Sequence, residues 1–244
     1  MKKDISSIML IGGTSEIGQE VLKNYVNNCH GIKPKVTITS RDTKGMVTKV
    51  KLEKELKIPV DNVFLDVNDE ISLNTFWVDN EVPSVLIICI GTLGKEEHFN
   101  SENTKNVIWT NFTAITVLLD NLAHEKQKPV SIIVLSSVAG ERGRYSNYEY
   151  GAAKAGLTQY LSGYRAKMLY EKVHVLTVKC GLVRTKMIAH KPKSKLECSP
   201  KKVGKLIYRA AVKMKDVIYV PAYWRTIMFI VRSIPERIFK KLTF

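Results

Sequence analysis

Three residues have types and spacing that could do chemistry together: Tyr150, a lysine four positions on at Lys154, and Ser137 thirteen positions upstream. With Tyr150 in the first turn of a helix, Lys154 lies on the same face about one turn away. An ammonium beside a phenol favours phenolate and depresses the phenol pKa, which would make Tyr150 a proton donor and acceptor near neutral pH. The Ser137 hydroxyl could hold a carbonyl oxygen against it. Of the ten tyrosines only Tyr150 has a lysine at i+4. Alone, the pair reads as readily as an ordinary helix-surface contact; what surrounds it carries the argument. The apolar run Ile132 to Leu135 ends in Ser136-Ser137, as a buried strand would, and a glycine-punctuated loop joins it to the segment of Tyr150.

A second signal lies near the beginning of the chain. Ser7 to Ile11 reads as a short buried strand, followed by Gly12-Gly13-Thr14-Ser15-Glu16-Ile17-Gly18, after which Ile17, Val21, Leu22 and Val26 recur at helical spacing. Strand, glycine loop and helix in that order place a dinucleotide pyrophosphate at a helix N-terminus. Gly12, Thr14, Ser15, Ile17 and Gly18 are the candidate contacts. The next strand, Val36 to Ser40, ends in Ser40-Arg41-Asp42. A small residue followed by arginine leaves room for a 2′-phosphate, so the pattern favours NADP. A plain surface arginine, with Asp42 beside it, is the alternative.

The remaining elements alternate. A helix from Lys44 to Leu56 leads to a strand from Val63 to Asp66, where Asp66-Val67 could hold the adenine edge. A helix from Ile71 to Val78 precedes Val85 to Ile90, apolar on both faces as a central parallel strand should be. Gly91 then opens a loop without side-chain bulk beside the expected cofactor. Asn103 to Lys126 reads as one long helix with Asn111 inside it, where an asparagine ordinarily faces solvent. After the helix of Tyr150, running to Tyr170, a strand from Val173 to Lys179 leads into the loop Cys180 to Thr185. The expected fold is α/β: a Rossmann-like, doubly wound parallel sheet flanked by helices, with its ligand at the carboxyl ends of the strands.

From Lys186 to Lys202 the chain is rich in Lys, Pro and Ser and aperiodic, which suits a lid over the substrate. A helix from Val203 to Met214 and a last strand from Val217 to Val220 follow. Residues 1–222 would form the dinucleotide-binding domain and residues 223–244 a basic amphipathic extension of it. In that extension Trp224, Met228, Phe229, Ile230 and Ile238 are interleaved with Arg225, Arg232, Arg237, Lys240 and Lys241, and Pro235 should end its first helix. Such a tail can lie on a membrane surface or form an oligomer contact.

A chain of 244 residues accommodates one large α/β domain with a full core. Hydrophobic content of 45% and charged content of 25% exclude gross disorder. No run of eighteen apolar residues could span a bilayer. The basic Met1-Lys2-Lys3 start leads into the first strand and does not resemble a signal peptide. Cys29, Cys89, Cys180 and Cys198 show no metal spacing and read as reduced thiols of a cytoplasmic chain; no metal is expected. The net charge of +15 suits anionic ligands, lipid headgroups or nucleic acid, or simply a lysine-rich surface.

With the glycine loop, Asn111, Ser137, Tyr150 and Lys154 in this order and spacing, the chain resembles the short-chain dehydrogenase/reductase family over essentially its whole length. The resemblance implies an NADP- or NAD-dependent oxidoreductase with a catalytic tetrad. Asn111 would hold a water and the helix backbone, and Ser137 would polarise the carbonyl. Tyr150 would be the general acid/base, and Lys154 would bind nicotinamide ribose while lowering the tyrosine pKa. Further cofactor contacts would come from Gly91 and from Gly181, Val183 and Thr185, and a homodimer or homotetramer would be usual. The chain departs from the family's T-G-x-x-x-G-x-G loop, with Ile11 for the threonine and Glu16 for the middle glycine. Within the family, GGTSEIG, SSVAGER, YGAAKAGL, VRTKM and IPERIFKKL are similar to the decaprenylphosphoryl-2-keto-ribose reductase group. That implies a keto group on a lipid-phosphate- or nucleotide-linked sugar of cell-envelope synthesis, a peripheral place at the inner membrane face, and NADH where Ser40-Arg41 argues for NADPH. Reduction of another small carbonyl compound is one alternative. A cofactor-sensing binding protein that has lost catalysis and holds nucleic acid is another, disfavoured by the complete Ser/Tyr/Lys set.

Overall fold

A computed structural model describes residues 5–29, 31–95, 100–190 and 192–242. The basic start expected at Met1-Lys2-Lys3 and the Lys191 position of the expected lid lie outside the described residues.

Seven strands form one parallel sheet: β1 (Ser7–Ile11), β2 (Lys35–Ser40), β3 (Val60–Phe64), β4 (Val85–Ile88), β5 (Ser131–Ser137), β6 (His174–Cys180) and β7 (Val217–Val220), in the order β3-β2-β1-β4-β5-β6-β7. The order reverses between β1 and β4, opening a crevice at the carboxyl ends of the strands. The expected Rossmann-like sheet is therefore the observed one.

Alternate strand residues feed two cores. Ile8, Leu10, Ile38, Ile87, Ile133, Leu176 and Val178 pack beneath α1 (Glu16–Asn27), α2 (Lys44–Leu56) and α7 (Pro200–Val212). Met9, Ile11, Leu86, Ile88, Ile132, Val134 and Val175 pack on the other face, beneath α3 (Glu70–Asp79), α5 (Ala114–His124) and α6 (Tyr148–Leu169). Period-two alternation under helices on both faces explains why the strands read as unbroken apolar runs.

Four expectations are corrected. The third strand is Val60–Phe64, not Val63 to Asp66. It lies at the sheet edge, where polar Asp61 and Asn62 are tolerated and hide the pattern. The single helix expected over Asn103 to Lys126 is instead α4 (Ser101–Ile108), a π-helical turn (Trp109–Thr113) and then α5. In that turn the Ala114 amide donates to the Trp109 carbonyl, one residue further back than in an α-helix. Within it Asn111 faces inward, fully buried, against the expectation of a solvent-facing residue. Finally, residues 200–202, expected in the lid, begin α7. Ser199 caps it, accepting from the Lys202 amide at 3.3 Å, and Pro200 holds the first helical position.

The C-terminal segment forms α8 (Trp224–Ser233) and α9 (Glu236–Phe239), with Pro235 between them as expected. Trp224 and Met228 are buried against Val138, just past the end of β5. Arg142 ties both helices down: it donates to the Arg232 carbonyl at 3.1 Å, pairs with Glu236 at 2.7 Å, and lies 4.3 Å over the Phe239 ring. On the outer side Phe229, Ile230 and Ile238 are more than half exposed. Among the described residues no helix is long and apolar enough to cross a membrane.

Candidate active site

A cleft of about 600 Å³ opens at the carboxyl ends of the strands, a volume that suits a cofactor or small-molecule site. One wall is the turn after β1. Gly12 has φ +85°, and a Cβ there would meet the Cys89 carbonyl oxygen at 2.8 Å, so only glycine makes this turn. Ser15 caps α1, its hydroxyl accepting from the Gly18 amide at 3.3 Å, so the helix N-terminus points at the cleft. Gly18 does not line the cleft. A side chain there would strike Leu10 at 2.6 Å, so its smallness lets α1 lie close on β1. Thr14, Ser15 and Ile17 line the same wall.

Glu16, the departure from the family loop, also faces the cleft, and its carboxylate accepts the Lys186 amide at 2.7 Å. The residue in the place of a glycine thus fastens the start of the expected lid to the glycine loop. The lid's far end is fastened as well. Val183 pairs with Cys198 in a parallel bridge, and Arg184 forms an ion pair with Glu197 at 2.9 Å.

At the end of β2, Ser40 and Arg41 line the cleft, joined by Lys44 from the first turn of α2. Asp42 lines it as well, its carboxylate accepting the Lys44 amide at 3.0 Å. Val67 lines the cleft but Asp66 does not; its carboxylate is engaged locally by the Asn68 amide at 3.0 Å, and Asn68 takes the place expected of it. Gly91, Gly181, Val183 and Thr185 all line the cleft as expected. A bare Gly12 turn, an open helix N-terminus and, after β2, two cations outnumbering the single carboxylate of Asp42 make a cradle that fits a dinucleotide bearing a 2′-phosphate.

Three of the four residues expected to do the chemistry, Ser137, Tyr150 and Lys154, meet on the opposite wall. Ser137 ends β5; its hydroxyl accepts from the Ala139 amide at 3.1 Å and donates to the Cys180 carbonyl at 3.3 Å. Tyr150 stands in the first turn of α6, its phenol in the same wall as Ser137. Lys154 is 2% exposed, its Nζ donating to the Leu135 carbonyl at 3.1 Å and lying 5.8 Å from the Tyr150 ring centre. Asn111 does not line the cleft but holds its floor. Its Nδ2 donates to the carbonyls of Val107 (2.9 Å) and Thr92 (2.7 Å), and its Oδ1 accepts from the Thr92 amide at 3.2 Å. A Cβ on Gly91 would lie 2.8 Å from Asn111 Oδ1 and 3.8 Å from Lys154 Nζ, so both groups reach the Gly91 backbone.

The charge states differ from the expectation. Burial pushes Tyr150 up to about 12, opposed by the Ser137 hydroxyl dipole and by the Arg144 charge. Burial also pulls Lys154 down to about 8. The spacing argument placed an ammonium against the phenol in water. In the fold, desolvation at the cleft floor outweighs that attraction, and the cation acting on Tyr150 is Arg144.

Lys44, Asn68, Arg144, Asn147 and Trp224 line the cleft and were not singled out as site residues from the sequence. Arg144 sits within ERGR, between Ser137 and Tyr150, and a glycine-flanked arginine so placed was a readable signal. Trp224 carried none, because only the packing of α8 brings it to Gly181, where a Cβ would lie 1.8 Å from its Nε1.

Comparison with known proteins agrees with this geometry. The family described as short chain dehydrogenase matches residues 6–196, and the chain belongs to that family of oxidoreductases. It is 29% identical over 160 residues to an uncharacterized oxidoreductase of Mycobacterium tuberculosis, a match covering 64% of each chain. The matched stretch thus spans just under two thirds of that relative's length. Another uncharacterized oxidoreductase, from the mprA 5′ region of Streptomyces coelicolor, is 27% identical over 256 residues, 99% of each chain. Among solved structures, a short-chain dehydrogenase from Sphingobium yanoikuyae in complex with NADPH superposes with a TM-score of 0.76 at 18% identity, over 94% of this chain and 97% of that one.

Proposed function

We propose that the protein is an NADPH-dependent ketoreductase in which Tyr150 protonates the carbonyl oxygen of its substrate. The observation that carries this reading is Ser137, Tyr150 and a buried Lys154 brought together in one cleft with the glycine turn. When bound, the reduced nicotinamide supplies a hydride to the carbonyl carbon. Tyr150, held protonated by burial, gives its proton to the oxygen, so that C=O becomes H–C–O–H and the phenol is left to be reprotonated. Ser137 orients the carbonyl oxygen towards that proton. Lys154 and Asn111 hold the Leu135 and Thr92 backbone from beneath. Arg41 and Lys44 would take the 2′-phosphate, which supports NADPH over NADH, and NADPH is the cofactor in the Sphingobium structure.

The substrate class follows from a resemblance in sequence. GGTSEIG, SSVAGER, YGAAKAGL and the C-terminal IPERIFKKL are similar to the decaprenylphosphoryl-2-keto-ribose reductase group. The proposed substrate is the keto group of a lipid-phosphate- or nucleotide-linked sugar in envelope synthesis. The exposed Phe229, Ile230 and Ile238 among arginines and lysines suit a membrane surface or a second subunit.

Replacing Tyr150 by Phe tests the mechanism. Turnover of a keto-sugar substrate, followed as loss of NADPH absorbance, should fall by roughly 10²–10⁴-fold, with NADPH affinity within about twofold of wild type. Residual turnover above a tenth of wild type would reject Tyr150 as the proton donor.

A further inference from the structure

Four side-chain nitrogen or oxygen atoms among the described residues are buried without a hydrogen-bond partner, and three of them belong to residues of the cleft: Arg144 Nε, Asn147 Oδ1 and Trp224 Nε1. The fourth, Glu141 Oε2, is accounted for by the Arg232 guanidinium at 3.6 Å. A buried donor or acceptor left unpaired costs about 1–3 kcal/mol. Three in one cleft, two from the loop before α6 and one from the start of α8, mark a surface shaped for something that pairs with them.

The local structure supports this. Asn147 is the residue preceding α6, where an asparagine ordinarily turns its side chain onto the helix's free amides, yet it makes no capping bond. Its Oδ1 is left buried and unpaired in a residue that lines the cleft. Among the described residues no carboxylate pairs with Arg144, although burial of its guanidinium makes holding the charge unfavourable. Arg144 and Tyr150 line the same cleft, and the guanidinium charge acts on the phenol that marks the carbonyl position. Trp224 offers an N–H from the start of α8, held by its packing on Gly181 and Val138.

We infer that this wall is a substrate-recognition subsite for an anionic, hydroxylated keto compound. The Arg144 guanidinium takes an anionic oxygen, a phosphate ester or a carboxylate, a few bonds from the carbonyl. Trp224 Nε1 donates to, and Asn147 Oδ1 accepts from, its flanking oxygens and hydroxyls. The inference rests on Tyr150 marking the carbonyl position and adds what the substrate must carry. Arg144, Asn147 and Trp224 then set specificity, and Ser137 and Tyr150 do the chemistry.

The test uses matched pairs: dihydroxyacetone phosphate against dihydroxyacetone, and acetoacetate against its ethyl ester. Wild type should show a higher kcat/KM for the anion of at least one pair, and whether the phosphate or the carboxylate pair responds identifies the anion. In Arg144→Gln the anion-to-neutral ratio should fall roughly 10-fold or more, the equivalent of one charge-assisted hydrogen bond, with the loss mainly in KM. Arg144→Lys should recover part of it. A second readout needs no turnover: glycerol 3-phosphate or 3-hydroxybutyrate should raise the melting temperature of the NADP-saturated wild-type protein, glycerol should not, and Arg144→Gln should abolish the difference. A wild-type protein without anion preference in both measurements overturns the subsite while leaving ketone reduction standing. Equal loss on anion and neutral partner in Arg144→Gln also overturns it. If neither ketone of either pair is reduced and no anion stabilises the complex, the ketoreductase reading falls with it.

Discussion

Replacing Asn111 by Ala should cost stability far out of proportion to the size of the change, because its amide is the pin that holds the loop after β4 to the π-helical turn. The side chain is fully buried and makes three hydrogen bonds, two of them to the amide and carbonyl of Thr92. Removing it strands both Thr92 groups and the Val107 carbonyl. Thr92 is half-buried, so water can recover part of the loss. At about 1 kcal/mol for each stranded group, the low end of the usual range, the total is about 3 kcal/mol. For a domain of this size that lowers the melting temperature by roughly 6–12 °C. Asn111→Asp is the sharper variant. It keeps the shape and can still accept from the Thr92 amide, but it turns a carboxylate oxygen onto two carbonyls, so its loss should be at least as large. Thermal unfolding followed by circular dichroism, with and without NADPH, is the assay. If both variants melt within about 2 °C of wild type, Asn111 is not the pin described here.

Lys154 gives a pH signature. Unfolded, it keeps its proton to about pH 10.5, whereas in the fold burial lowers its pKa to about 8. Between those values the unfolded chain binds more protons, so stability should rise with pH across that window. Below pH 8 the depressed lysine costs on the order of 3 kcal/mol. Lys154→Met should therefore raise the melting temperature of the cofactor-free protein at pH 7, and the gain should shrink by pH 10; a gain independent of pH refutes this. Arg41→Ala should raise the KM for NADPH roughly 10-fold and leave that for NADH within about twofold, as loss of one arginine–phosphate contact predicts. Equal effects on both cofactors would place Arg41 outside the 2′-phosphate site. Gly181→Ala would put a methyl 1.8 Å from Trp224 Nε1. It should move the indole, change the tryptophan fluorescence and lower the melting temperature, and an unchanged spectrum would show that the contact is loose.

Most of the sheet was legible because parallel strands between helices are apolar on both faces, and because the glycine turn declares itself locally. The edge strand β3 escaped for the opposite reason: with one neighbour only, it tolerates Asp61 and Asn62. Ser137, Tyr150 and Lys154 could be found from spacing, since one strand end and one helix turn position them. Their charge states could not, because burial depends on everything packed around the cleft floor. Trp224 was hidden, since a long-range contact carries it to the cleft, whereas Arg144, beside a glycine between Ser137 and Tyr150, was readable in its place but not in its burial. The π-helical turn was illegible because one surplus residue hardly disturbs a helical pattern.

That surplus residue sets the phase of everything after it. A helix advances about 100° per residue, so one extra position lets α4 and α5 keep their apolar sides on the protein while turning Asn111 inward between them. Shortening Trp109–Thr113 by a single residue would yield a more regular rod and would swing Leu118, Leu119 and Leu122 off the sheet. Regularity here is the defect, and the irregular turn is the gear that lets a floor-holding amide and a core-forming helix share one stretch of chain.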